Sequence, residues 1–597
     1  MRRYLILCLI LAVCSTAFAD THTYYVATAG NDTTGDGLAL VTAWASLGKA
    51  IDNHTAESGD TVVINVPGGD TLAAMAATID FDDDGGKHDG INFVIQSTVS
   101  GTQWTALCSG DVTPHFTFSN VTTGSLTITD GIIGVVDNSD GLNLFDYAAN
   151  KGIDVTMTRC TIVTRTSGLT YPFLFDNAKA PATRNVTLTD CTINTHYGVL
   201  KSTGEFGDFT VTGGTTTPDT ADTGNWIDLQ AGSDGGDIKI TDVTQGGSYK
   251  FNKVILNVAD APILSLTMRD CTFSAESSVI IFPDDVYDVY VADCTLTSDS
   301  DHTIKVGTYD LAGTTSRLDV DAMTGTAIVG NTITCGTGGV FSTTYGSRFV
   351  GNKITGTSHV LALYGNNSTV VNNVISGALC LMEWSDYNYI ANNTVYATGN
   401  AYLSGVPSQE GAGEADGWQY SRGSVVVNNI FMTTGAGNFA FWDYEGNAGN
   451  DDHARGALTA GDAVTYPYDD YMSHLMDYNC YYNSAGNAFK IGPVASPTTA
   501  NTVAAIQTAW TTAGADSTTW NKLHGAHNDL HSVVTNPRFI NAAAGDFRLK
   551  TDSPLWNAGR RCIENGWTTI GANQPYSNAD AGYRSRYNFR DRNYSDR

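Results

Sequence analysis

Four carboxylates stand in two short runs that mix acids with aromatic rings: Glu383-Trp384-Ser385-Asp386-Tyr387 and Trp442-Asp443-Tyr444-Glu445. Glu383, Asp386, Asp443 and Glu445 are the candidate acid–base groups, because glycoside hydrolysis uses a pair of carboxyls flanking the scissile bond. Trp384, Tyr387, Trp442 and Tyr444 offer flat apolar faces on which a pyranose ring can stack, and Tyr364, Tyr402 and Trp418 stand near them in the chain. His453 and Arg455, in Asp451-Asp452-His453-Ala454-Arg455, supply an imidazole base and a guanidinium that would neutralise a uronate if the chemistry were elimination. Taken singly, each acid or ring is explained as well by a solvated face or by loop packing. Taken together, the cluster predicts a sugar groove.

These residues need a scaffold, and a recurring phrase supplies it. Ala327-Ile328-Val329-Gly330-Asn331-Thr332-Ile333-Thr334 returns as Phe349-Val350-Gly351-Asn352-Lys353-Ile354-Thr355. It returns again at Val370–Ser376, Ile390–Tyr396 and Val426–Phe431. The steps are 352 − 331 = 21, 373 − 352 = 21 and 393 − 373 = 20. A fixed period with β-branched runs on both sides of a polar corner is the mark of a solenoid. Each coil reads as three short strands, which implies three parallel sheets in an all-β fold of about a dozen coils. Strands Val340–Tyr345, Val360–Tyr364, Leu379–Trp384, Ala401–Ser404 and Phe439–Tyr444 then fall on one sheet. Two insertions, 405–424 and 446–476, interrupt consecutive coils at one corner, and long loops on a rigid scaffold are where binding concentrates.

The composition restricts the partners. Of 597 residues only 16% are charged, yet the formal net charge is −29. Nucleic acid is excluded as a partner, since it requires a basic stripe. A polyanionic glycan is opposed too, unless cations or a local basic site offset the field. Residues 1–19 read as a Sec-type signal peptide: Arg2-Arg3, an apolar run from Tyr4 to Val13, and Ala17-Phe18-Ala19 before the cleavage point. The expectation is a secreted or cell-surface monomer with no membrane span. Cys160, Cys191, Cys271 and Cys294 occupy the corner position that Asn fills later, so they predict a ladder of buried free thiols rather than bridges.

The repeats and both ends of the chain resemble the right-handed parallel β-helix proteins with the pectin-lyase-like fold. Tyr24-Tyr25-Val26, Gly30-Asn31-Asp32, Trp44 and Leu47 resemble the N-terminal cap of secreted members. Asn536-Pro537-Arg538-Phe539-Ile540, Gly545-Asp546-Phe547-Arg548-Leu549 and Ser553-Pro554 resemble their closing segment. The chain reads as a cap and first coils over 20–115, repeats over 116–490, a closing segment over 491–573 and a frayed tail over 574–597. The resemblance implies that the sheet carrying the aromatic-acidic strand ends forms the substrate cleft. It does not carry over an activity. Asp284-Asp285 and Asp451-Asp452 lack the partners of the polygalacturonase pattern. Trp226-Ile227-Asp228-Leu229 has Leu229 where the pectate-lyase pattern has His.

Calcium is the one cofactor the sequence suggests. Asp80, Asp82 and Asp84 before Gly85-Gly86, and Asp234-Gly235-Gly236-Asp237, are oxygen-rich stretches that read as turns and match no defined calcium loop. The function expected is polysaccharide binding, with cleavage by a hydrolase or a lyase. The competing expectation is a non-catalytic adhesin or matrix protein.

Overall fold

The computed structural model describes residues 19–559, apart from 308–324, 407–423, 444–474, 513–528 and shorter loop segments that include 383–384 and 386–387. Contacts divide the chain into two units, the first running to Ser368 and the second from Thr369.

In the first unit Thr21–Tyr25 opens the stack by pairing in parallel with Thr61–Val66. The cap sequence explains its own geometry. Asn31 closes a side-chain turn by accepting from the Thr33 and Thr34 N–H groups. Asp32 accepts from the N–H groups of Ala45 and Ser46, and Ser46 caps the helix α1 (Leu47–Asp52). Trp44 stacks on Tyr24 at 5.2 Å and donates its indole N–H to the Gly35 carbonyl.

Three parallel ladders follow in every coil. The first contains Val186–Thr189, Phe209–Thr212, Asp234–Thr241, Ile263–Arg269 and Ala327–Val329. The second contains Thr161–Thr166, Thr192–Thr195, Thr215–Pro218 and Thr332–Cys335. The third contains Phe173–Phe175, Leu200–Ser202, Asn225–Leu229, Ile304–Val306 and Val340–Ser342. Strand alternation buries every second residue, so Phe173, Leu200, Ile227, Ile255, Ile280, Ile304, Val340 and Leu361 form one continuous interior column. Phe116, Phe145 and Phe173 stack face to face at 5.1 and 4.9 Å, each contact adding about 0.5–1.5 kcal/mol beyond burial. In two described coils of the first unit the turn between the second and third ladders is absent, because Thr272–Phe282 and Lys353–Leu363 run through both.

The corner between the first and second ladders is fixed by backbone sterics. The residue before the ladder position has positive φ: Asp190 53°, Asp270 54°, Asp293 57°, Gly330 69° and Gly351 67°. Asp, Asn and Gly reach that region at least cost. The next residue points inward and joins the stack. Asn331 donates its backbone N–H and its Nδ2–H to Asn352 Oδ1 at 3.0 and 3.1 Å. Cys294 donates its backbone N–H to Asn331 Oδ1 at 2.8 Å, so Cys and Asn share one column. The described cysteines are free and buried.

The second unit repeats the plan. Asn373, Asn393, Asn429 and Asn479 form a ladder in which each backbone N–H meets the next Oδ1 at 2.9 Å. It ends where Asn479 donates its N–H to Ser532 Oγ. Tyr402 lies flat between Phe431 (4.7 Å) and Phe441 (5.4 Å) inside the coil. The helix α2 spans Val503–Thr512, and Phe539–Asn541 with Asp546–Leu549 makes a small antiparallel closure. Among the described residues no helix is long and apolar enough to cross a membrane.

Candidate functional site

Outward positions of the third ladder carry the polar chemistry. In the first unit the register aligns Leu174, Lys201, Asp228, Leu256, Ile281, Lys305, Phe341 and Ala362 along one row. Neighbouring rungs are about 4.8 Å apart.

One end of this row is a compact polar cluster. Asp228 is 7% exposed and accepts from Tyr171 Oη (3.3 Å), Asn225 Nδ2 (3.3 Å) and Gln230 Nε2 (2.6 Å). Burial, and then the Asp228 charge, push the Tyr171 phenol well above its usual range, so Tyr171 remains a donor. Lys201 sits one rung from Asp228 with Nζ 5.9 Å from the Tyr171 ring centre.

Four rungs along, a second cluster surrounds Phe341. Lys305 Nζ lies 5.7 Å from the Phe341 ring centre, the His302 ring meets that ring edge-on at 5.5 Å, and Tyr364 tilts against it at 5.0 Å. His302 Nδ1 is 3.1 Å from Asp301 Oδ1, which also accepts the His302 backbone N–H at 2.7 Å. These bonds hold the Asp301 carboxyl at about 2. His359 is pushed down by burial and then by the charge of His302. The cluster therefore holds an oriented imidazole and an ammonium over a buried pair of rings.

In the second unit the equivalent row runs Cys380, Leu403, Trp442 and Lys490. Lys490 Nζ is 3.8 Å from the Trp442 ring centre and 5.7 Å from Phe439, close enough for a cation–π interaction. Burial lowers the Lys490 ammonium pKa.

The sequence candidates separate under this geometry. Trp442 is half-buried on the outward row, beside its cation. Asp443 falls at the end of strand Phe441–Asp443. Tyr402 is corrected: it is fully buried, and its stacking partners are Phe431 and Phe441, so no sugar reaches it. Tyr364 is also corrected as an open platform, since it is 7% exposed and packs on Phe341. Glu383, Trp384, Asp386, Tyr387, Trp418, Tyr444, Glu445, His453 and Arg455 lie outside the described residues, as do Asp82, Asp84 and the side chain of Asp80. The reading of Asp234-Gly235-Gly236-Asp237 as a turn is corrected too. These residues begin the strand Asp234–Thr241, where a Cβ on Gly235 would meet the Phe206 ring at 2.3 Å, and Asp237 is held by Lys239 and Ser265. Among the described residues no group of three or more His, Cys, Asp or Glu side chains could hold a metal ion.

Sequence reasoning passed over Lys201, His302, Lys305 and Lys490. Their signal was present: Ile304-Lys305-Val306 alternates buried, outward, buried, which puts a scarce cation on the outer face.

No protein-family model matches the chain, and no curated protein matches it. Among solved structures, the complex of XylC with xylose is 11% identical, covering 80% of this chain and 85% of that one, with a TM-score of 0.27. A rhamnogalacturonan lyase is 12% identical, covering 68% and 87%, with a TM-score of 0.23. The pectate lyase Pel9A is 14% identical, covering 94% and 98%, with a TM-score of 0.15. The strand pairing within each unit of the chain is that of a parallel β-helix.

Proposed function

We propose that the chain, exported and monomeric, binds polysaccharide at outward positions of the third ladder in each unit taken by itself, and that the preferred glycan carries negative charge. One observation supports this most directly. Lys201, Lys305 and Lys490 occupy outward positions of that ladder, each close to an aromatic ring, in a chain whose net charge is −29. The ammonium groups take glycan carboxylates, and the half-buried Trp442 ring beside Lys490 offers an apolar face to a sugar, whereas Tyr171 and Phe341 are buried supports for their lysines. The local cations answer the electrostatic objection to an acidic ligand.

Cleavage is part of the same reading. A hydrolase would draw its carboxyl pair from Glu383, Asp386, Asp443 and Glu445. A lyase would use a base such as His453, with Arg455 or a bridging calcium ion to neutralise the uronate. The His302–Asp301 pair beside Lys305 offers the same parts in the first unit.

Affinity electrophoresis of the whole chain against neutral and acidic polysaccharides tests the binding. Acidic glycans should retard it, salt should weaken the retardation, and Lys305→Ala should reduce it. Equal retardation by neutral and acidic glycans would overturn the charge preference, and no retardation by any glycan would overturn the function. New reducing ends without absorbance from unsaturated uronates would identify a hydrolase, and both signals a lyase. Binding without either signal would leave a non-catalytic adhesin.

A further inference from the structure

We infer that Cys160 with Cys191, and Cys271 with Cys294, are two disulfide-forming pairs that link neighbouring coils of the first unit at the corner column. The strand register orders that column as Cys160, Cys191, Gly214, Val243, Cys271 and Cys294, one residue per rung. Adjacent rungs place the α-carbons of each pair about 4.8 Å apart, inside the 4.4–6.8 Å window of a disulfide. Cys191 and Cys271 are three rungs apart, about 14 Å, which no disulfide spans. Four cysteines permit three connectivities, and this column permits one.

At the Cys271–Cys294 rung the Cys271 backbone N–H donates to Cys294 Sγ at 3.5 Å. The remaining bonds are weak ones from sulfur to carbonyls, such as Cys160 Sγ to the Ile128 carbonyl at 3.4 Å. An Asn rung, by contrast, uses both its amide N–H groups and its oxygen. A covalent bond between coils supplies what thiols cannot supply through hydrogen bonding.

The step balances as thiol–disulfide exchange. One thiolate attacks a disulfide oxidant, such as oxidised glutathione, and forms a mixed disulfide while the leaving sulfur takes a proton. The neighbouring thiol then displaces the second oxidant sulfur. Two S–H bonds are lost, one S–S bond forms, and the oxidant leaves as two thiols. All four cysteines are 1% exposed. The reaction therefore runs while the coils assemble or open, and slowly in the closed stack.

The test treats the reduced full-length chain with oxidised glutathione during refolding, alkylates the remaining thiols and maps peptides without reduction. The expected products are a Cys160–Cys191 peptide pair and a Cys271–Cys294 peptide pair, with Cys335 and Cys480 alkylated. Cys191→Ser should expose Cys160 to alkylation and leave the Cys271–Cys294 pair intact, which shows that the variant still folds there. Alkylation of all four cysteines in the parent chain would overturn the inference, as would links between non-adjacent rungs.

Discussion

Replacing Asn429 by Ala should open the second unit locally, and the structure gives the size of the effect. Asn429 Oδ1 accepts the backbone N–H and the Nδ2–H of Asn393 at 2.9 and 3.0 Å. Its Nδ2 donates to the Ile390 carbonyl (2.9 Å), the Val427 carbonyl (3.0 Å) and Asn479 Oδ1 (3.1 Å). Every one of these residues except Val427 is fully buried. Alanine leaves the Asn393 backbone N–H with no acceptor in a dry interior, at about 1–3 kcal/mol, and removes several further bonds of about 1 kcal/mol each. Relaxation recovers part of this, so the net expectation is about 3 kcal/mol, or roughly a hundredfold in a local opening equilibrium.

A solenoid does not unfold in one step, so a single melting temperature would blur the effect. Hydrogen exchange resolved to peptides is the suitable assay, read at Asn393 and at Ile430, whose N–H donates to the Asn393 carbonyl at 2.8 Å. Both amides should exchange about a hundredfold faster in Asn429→Ala. Asn429→Cys should fall between Ala and the parent, because the first unit shows that Sγ can accept a backbone N–H in this column. Exchange in the Ala variant within about threefold of the parent would refute the view that buried amide satisfaction holds the stack.

Other expectations concern the outer face and the interior. Trp442→Ala should weaken glycan binding about tenfold in a titration, since it removes both a stacking surface and the ring under Lys490. Tyr402→Phe should leave glycan affinity unchanged, whereas Tyr402→Ala should cost about 3–5 kcal/mol in urea unfolding of the second unit, because the ring fills a buried stack. Asp301 has a carboxyl lowered from 3.8 to about 2, first by the hydrogen bond from the His302 ring. A lowered acid contributes stability above its unfolded pKa and loses it as the pH falls through the folded one. Chemical unfolding of Asp301→Asn should therefore differ from the parent at pH 6 and converge with it between pH 3.8 and about 2.

The corner was legible because sterics leave it few choices. Asn372, Asn392 and Asn428 hold φ of 59°, 56° and 59°, and the residue after each enters the ladder, so an Asn-Asn pair between β-branched runs announces the turn. Arg159 and Tyr478 adopt the same conformation at φ of 51° and 56° without a residue type that favours it; at Arg159 the following Cys-Thr-Ile still marks the corner, and at Tyr478 the phrase fades. The candidate site was less legible for a physical reason. Its side chains are set by register on the third ladder, which is reached through turns of varying length after the second. Lys201 and Lys305 are four rungs apart in space but separated in sequence by coils of unequal size. Glycine misled as well, since Gly235 serves a close approach to Phe206 inside a strand rather than a turn around a cation.

The same ladder explains why a legible fold leaves function open. Bonded Asn rungs are separated by 21 residues in the first unit (Asn331–Asn352) and by 20, 36 and 50 residues in the second (Asn373 to Asn479), yet each side-chain bond is 3.0–3.1 Å long. Lengthening a coil from 20 to 50 residues costs only about 0.8 kcal/mol in closure entropy, since that cost grows with the logarithm of length. One Asn rung is worth about 3 kcal/mol by the bonds counted above. The corner therefore holds register against insertions several times over, and the body of each coil is free to change length and chemistry. Selection on a ligand can then act on the body of each coil and its loops without disturbing the repeat, so the part of the sequence that repeats is the part that carries least information about the ligand.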